Sequence, residues 1–242
     1  MSSSRSNDLA RIHSSTHEHP DVSGGWLRAA VFGAMDGLVS NISLIAGVGG
    51  GGASQHAIVL TGAAGLAAGA ISMALGEYTS VRAQNEQIAA ELNKERRELR
   101  ANPGVEHREL VLMLQQRGYS KDLARRIARE VSKDPELALR THAFEELGVA
   151  YDQLASPWLA AISSLVCFAA GALVPLLSYL FGSDQLWHSL AVGGVGLFVV
   201  GVLVSRFTAR TWWLSGARQL LFGAVAAGIT YLIGVLVGSA VA

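Results

Sequence analysis

Apolar and polar positions along this chain separate into long blocks rather than short alternations. Five apolar blocks reach the roughly 20 residues that a helix needs to cross a bilayer. They cover residues 26–48, 56–81, 157–181, 186–207 and 213–241. Between the second and third lies a charged stretch, 82–155, whose apolar residues recur at helical spacing. No stretch carries the period-two pattern of a strand. The predicted architecture is therefore an all-α membrane protein with five transmembrane helices and an all-helical insert between spans two and three. Residues 1–25 are polar, lack the apolar core of a signal peptide, and read as a disordered tail.

Local punctuation agrees with these blocks. The four glycines at 49–52 read as a turn. Ser156-Pro157 reads as an N-cap followed by proline at the first helical position. Trp26, Trp158, Trp187, Trp212 and Trp213 fall near span ends, where an aromatic belt belongs. In the insert, the second span is predicted to continue as helix to about Arg100. Asn102-Pro103-Gly104 then turns the chain into a helix over 105–116. Ser120 is the expected cap of the next helix, 121–132, with Leu123, Ile127 and Val131 as its apolar face. Asp134-Pro135 opens the last, which Gly148 closes. So small and charged an insert suggests packing against a second copy of the chain.

Charge changes the picture through its distribution. Acidic and basic residues balance at 19 each, which gives no reason to expect a nucleic-acid partner. No charged residue lies between Asp36 and Glu77, or between Asp184 and Arg206. Arg5, Arg11 and Arg28 belong to the tail and first span, thirteen basic residues to 82–156, and Arg206, Arg210 and Arg218 to the fourth connection. With five spans and a cytoplasmic N-terminus, all 19 fall on the cytoplasmic side, as the positive-inside rule requires. The insert is then cytoplasmic and the C-terminus outside. The short tails and lack of targeting signals suggest a bacterial plasma membrane. Cys167 is the only cysteine, so neither an intramolecular disulfide nor a cysteine-rich metal site is available.

Chemistry concentrates in two places. Asp36 sits about 15 Å into span one, a depth at which a carboxylate is costly. Met73 lies about 12 Å inside span two, and Glu77 is one turn nearer the cytoplasm on the same face. Two carboxylates and a thioether suit a borderline divalent cation such as Fe²⁺ rather than Mg²⁺ or Ca²⁺. Gly62, Gly65, Gly69 and Gly76 give the spacing that lets helices approach closely. In the insert, Glu95 and Glu98 share a helix face, as do Glu106 and Glu109, and the proline turn folds the pairs toward each other. Glu145 and Glu146 are positioned to complete an oxygen-rich cage. The same spacing also describes a solvated charged face with Arg96, Arg97 and Arg100 interleaved. His13, His17 and His19 in the tail form a weak metal-binding pattern within a segment whose composition is that of disorder.

Together Asp36-Gly37, the run AGAISMALGEY at 68–78 and the insert glutamates resemble the vacuolar iron transporter family. The family's metal-binding glutamates are spaced by three, eight and three, as are Glu95, Glu98, Glu106 and Glu109; another precedes a Leu-Gly pair, as Glu146 does here. The resemblance implies a homodimer with its metal route along spans one and two, and export of cytosolic Fe²⁺ in exchange for protons. Asp36 and Met73 match the family's route residues. Gly65 stands where some members carry a glutamate, with Glu77 a proposed replacement. His142 and Ala143 stand where plant-like members carry two methionines, and His142 retains the ability to bind metal. No prosthetic group is expected; Fe²⁺ is the bound and carried ion, with Mn²⁺, Co²⁺ and Zn²⁺ as alternatives. Two rival readings remain: a membrane-anchored di-iron carboxylate oxidase and a metal sensor that binds without flux. The oxidase wants Glu-x-x-His pairs, which the insert lacks.

Overall fold

Eight α-helices make up most of the described residues, 25–148, 154–208 and 210–241, of the computed structural model. In chain order they are α1 Trp26–Gly50, α2 Gln55–Ala101, α3 Pro103–Gln116, α4 Lys121–Val131, α5 Pro135–Leu147, α6 Pro157–Leu180, α7 Leu186–Thr208 and α8 Trp212–Val241. Helices α1, α2, α6, α7 and α8 are long and apolar enough to cross a membrane. The tail with His13, His17 and His19 lies outside the described residues.

Helix α1 is the hub of the membrane half, packing on α2, α6, α7 and α8 and most extensively on α6. Small residues permit this. A Cβ on Gly33 or Gly37 would press on the α6 backbone at Ser164 or Phe168, and one on Gly234 would strike the Gly47 carbonyl. Such backbone contact is how helices gain dispersion energy where lipid removes the hydrophobic drive. The glycine turn is shorter than the sequence suggests. Gly49 and Gly50 remain helical, and only Gly51 and Gly52 turn, Gly52 at φ +78°. The two helical glycines serve close approach instead, since a Cβ on Gly50 would meet the Tyr231 carbonyl at 2.6 Å.

Pro175 lies inside the continuous helix α6, and hydroxyls gather at that point. The Pro175 carbonyl accepts from Ser189 Oγ of α7 at 2.6 Å and from Ser178 Oγ at 3.2 Å. Ser156 caps α6 through Leu159 N–H at 3.3 Å, and Ser54 caps α2 through Ala57 N–H at 3.3 Å. Ser120 occupies the N-cap of α4 but makes no side-chain cap bond there, contrary to expectation.

Helix α2 runs unbroken for 47 residues, about 70 Å. In its apolar half Ile58, Gly62, Ala70, Glu77 and Val81 are buried, whereas Leu60, Ile71 and Leu75 are exposed. Its polar half joins α3, α4 and α5 in the insert. One insert core contains Leu110, Val111, Leu114, Ala124, Ala128, Val131 and Ala138, with Leu99 and Ile127 against it. The inward stripe of α4 is therefore Ala124, Ala128 and Val131. Leu123 is exposed, one helical step off the stripe. Asp134 caps α5 by accepting from Glu136 N–H at 2.9 Å and Leu137 N–H at 3.3 Å, and Gly148 ends it at φ +64°.

Candidate metal centre

The site forms where apolar contacts bring three helices together. Leu92 of α2 packs with Leu139 and Ala143 of α5, and Ile88 and Leu99 lie against them. Glu95 stands three residues after Leu92 and four before Leu99, on the same inward stripe. His142 and Glu146 follow Leu139 on α5 by three and seven residues, and Glu106 precedes the buried Leu110 on α3 by four. The aliphatic packing thus carries polar side chains into the interior. Glu95, Glu106 and His142 are all buried, and Glu146 opens to solvent.

Glu95, Glu106, His142 and Glu146 each offer one ligand atom, and those atoms all lie within 4.8 Å of one another. His142 Nδ1 is central. It stands 3.1 Å from Glu95 Oε1, 3.2 Å from Glu146 Oε1 and 3.8 Å from Glu106 Oε2. The approach to Glu95 lacks hydrogen-bond geometry, so that buried Oε1 has no hydrogen-bond partner. An unpartnered, desolvated carboxylate oxygen beside two more carboxylates is costly unless a cation is shared among them. Two of the three separations from Nδ1 are close to the roughly 3 Å that bonds of about 2.0–2.2 Å set between adjacent ligands of a first-row divalent ion.

Electrostatics reflect the crowding. Burial pushes the Glu95 carboxyl up to about 7, and Glu146, Glu106, Glu98 and Glu109 add repulsion. Glu106 is also raised, by burial first and Glu109 next, with His142 opposing. Below about pH 7 a proton would therefore compete with any metal offered to Glu95.

The other expected insert ligands stand around this centre. Glu98 is half-buried and, with Glu91, Lys94, Glu95, Ala143 and Glu146, lines a small pocket of about 40 Å³. Glu109 is exposed. Glu145 does not join the four: its Oε2 pairs with Arg117 Nε at 2.6 Å. Adjacent helical residues point about 100° apart, so Glu145 and Glu146 cannot share a direction.

In the membrane half, Asp36 is half-buried and accepts a hydrogen bond from Ser40 Oγ at 3.1 Å. Met73 packs against Ala70, Phe168 and Ala172. Glu77 is buried and pairs with Arg28 Nη2 of α1 at 3.1 Å. Sequence reasoning missed that partner, since 49 residues separate the two; an arginine just inside a span start was the available signal. Asn41 was missed as well. It is 2% exposed, donates to the Ala172 carbonyl, and leaves Oδ1 unpartnered. That Oδ1 is 3.4 Å from where a Gly65 Cβ would stand.

Similarity to known proteins runs across the same segments. Residues 27–235 match the model of the VIT family. The chain is 36% identical over 230 residues to a vacuolar iron transporter of Acanthamoeba castellanii, covering 93% of this chain and 84% of that protein. Identity to vacuolar iron transporter 1 of Oryza sativa subsp. japonica is 30% over 230 residues, covering 93% and 91%. The vacuolar iron transporter homolog 1 of the same plant is 34% identical over 211 residues, covering 85% and 71%. With five helices long and apolar enough to cross a membrane, a carboxylate–imidazole cluster in the insert and these relatives, the chain belongs to the VIT family.

Proposed function

We propose that this protein is a membrane transporter that captures Fe²⁺ on its insert and moves it out of the cytosol in exchange for protons. The observation that carries the proposal is the convergence of Glu95, Glu106, His142 and Glu146 around a buried, unpartnered oxygen. One imidazole among three carboxylates accepts Fe²⁺ and also Mn²⁺, Co²⁺ or Zn²⁺, and favours all of these over Mg²⁺ and Ca²⁺. Glu98 and Glu109 supply negative potential around the centre, Glu98 from the wall of the small pocket.

The positive-inside rule puts the insert in the cytosol, where it collects metal. The ion then passes Glu77, Met73 and Asp36. In our reading two copies pair so that α1 and α2 line a shared route, using the exposed face of α2. Export runs across a bacterial plasma membrane, or into an internal compartment as the relatives' names indicate for theirs. Arg28 holds Glu77 until the cation arrives, after which Glu77 exchanges one positive partner for another.

The test is flux into proteoliposomes holding the full chain. Metal uptake is expected to require an opposing pH gradient and to fall to background in Asp36→Ala, with binding at the insert retained. Undiminished flux in that variant would remove Asp36 from the route. Metal binding without any flux would favour the sensor. The oxidase reading has less support. The relatives are named as transporters, and His142 is the lone imidazole among the four donors, where a di-iron centre of the Glu-x-x-His kind uses two.

A further inference from the structure

The metal centre has a second neighbour besides the small acidic pocket. A cavity of about 170 Å³ has both Glu106 and His142 in its wall, and is large against the roughly 30 Å³ share of one water. Its remaining polar lining includes Arg96, Arg100, His107 and Ser132. Arg100 has no ion-pair partner among the described residues, and Arg96 meets Glu136 only at 3.5 Å. His107 Nδ1 is engaged with Ser132 Oγ at 3.3 Å, which leaves its Nε2 available.

This lining has a meaning once a divalent ion is present. The wall carries Glu106 and Glu136 as well as the two arginines, so without metal an anion gains little. A dication held by Glu106, His142 and their neighbours offsets most of the carboxylate charge on that side and leaves Glu136 alone facing two arginines. Four single-atom donors also leave open positions on an ion that takes up to six ligands. We propose that the cavity binds a small chelating oxyanion of the citrate class. It would complete the metal's coordination from the side of Glu106 and His142 and be held at its far end by Arg96 and Arg100. Guanidinium groups bind planar carboxylates through paired, charge-assisted hydrogen bonds. The metal would thus reach the insert as an anionic chelate, and the anion would stay behind when the ion leaves.

This rests on the metal-capture reading and is tested apart from transport. The full chain in nanodiscs is loaded with Co²⁺, whose visible absorption reports its ligands, and then given radiolabelled citrate. The expected result is about one citrate retained per metal-loaded chain, none without Co²⁺, and a shifted spectrum with Co²⁺ still bound. Arg100→Gln, at an exposed position, is expected to weaken citrate retention about tenfold while Co²⁺ affinity alone changes less than about twofold. Inorganic phosphate serves as the competing probe: displacement by phosphate at lower concentration than citrate would overturn the assignment to a chelating carboxylate. Citrate that strips Co²⁺ without being retained would overturn the proposal and leave the metal centre standing, as would retention unchanged in Arg100→Gln. Failure of the chain to bind Co²⁺ before citrate is added would overturn both.

Discussion

Helix α2 carries two buried glutamates eighteen residues apart, and their surroundings could hardly differ more. Glu77, in the apolar half, is 8% exposed and faces Arg28. Glu95, in the insert, is 7% exposed and faces an imidazole and two other carboxylates. The first has a permanent cation within 3.1 Å. The second has one oxygen with no hydrogen bond at all and a carboxyl raised to about 7. Equal burial therefore carries opposite meanings. A buried acid supplied with its own counter-ion is held in place by the fold. One crowded by its own kind is costly to keep ionised unless a cation is shared among the carboxylates.

The largest expected effect comes from removing a donor at the crowded acid. Losing an outer-shell partner commonly costs a metal site 10–100-fold, so a lost ligand in Glu95→Gln or His142→Leu should cost at least about a hundredfold in Co²⁺ affinity. Calorimetry on the full chain measures this. Glu77→Gln should leave the same affinity within about twofold, and a comparable loss there would erase the contrast between the two acids.

Acidity should sharpen the contrast next. Glu95 must lose a proton to bind metal, so affinity should fall about tenfold per pH unit below about 7. The slope should flatten in Glu95→Gln. The fold responds with the opposite sign. A carboxyl raised in the folded state contributes stability below its unfolded value of 4.5 that is lost as pH rises through about 7. Metal-free protein should therefore melt at a lower temperature at pH 8 than at pH 6, and the loss should be smaller in Glu95→Gln.

Breaking the compensated pair gives a moderate effect on stability. Arg28→Gln leaves Glu77 buried without a cation and should destabilise the chain by about 1–2 kcal/mol, discounted because the arginine itself is largely exposed. Thermal melting in detergent reads this, and the double variant Arg28→Gln with Glu77→Gln should recover part of the loss. The smallest effect is expected at Glu145→Gln. Its partner is Arg117, so metal affinity should change by less than about twofold. A large loss would place that carboxylate in the centre after all.

How far the sequence could be read depended on the range of each interaction. The five long apolar helices were legible because a bilayer demands long apolar runs, and the insert helices because Pro103, Gly118, Asp134-Pro135 and Gly148 punctuate them locally. Three of the four converging carboxylate and imidazole positions lie on the predicted faces of neighbouring helices. The choice between Glu145 and Glu146 needed the packing of α5 on α2, since one step around the helix separates a carboxylate paired with Arg117 from one beside His142. Leu123 illustrates the same limit on α4. Arg28 with Glu77, and Asn41 with the Ala172 carbonyl, are partnerships across helices that no local pattern encodes.

The unbroken course of α2 has a mechanical consequence. Eighteen residues make five full turns, so Glu77 and Glu95 stand on one line along the same shaft, about 27 Å apart. A shaft without a proline or a glycine joint between them transmits torque. Any twist of the membrane half that loosens the grip of Arg28 also turns Glu95 against α3 and α5. The two buried acids are thereby geared together through a single helix.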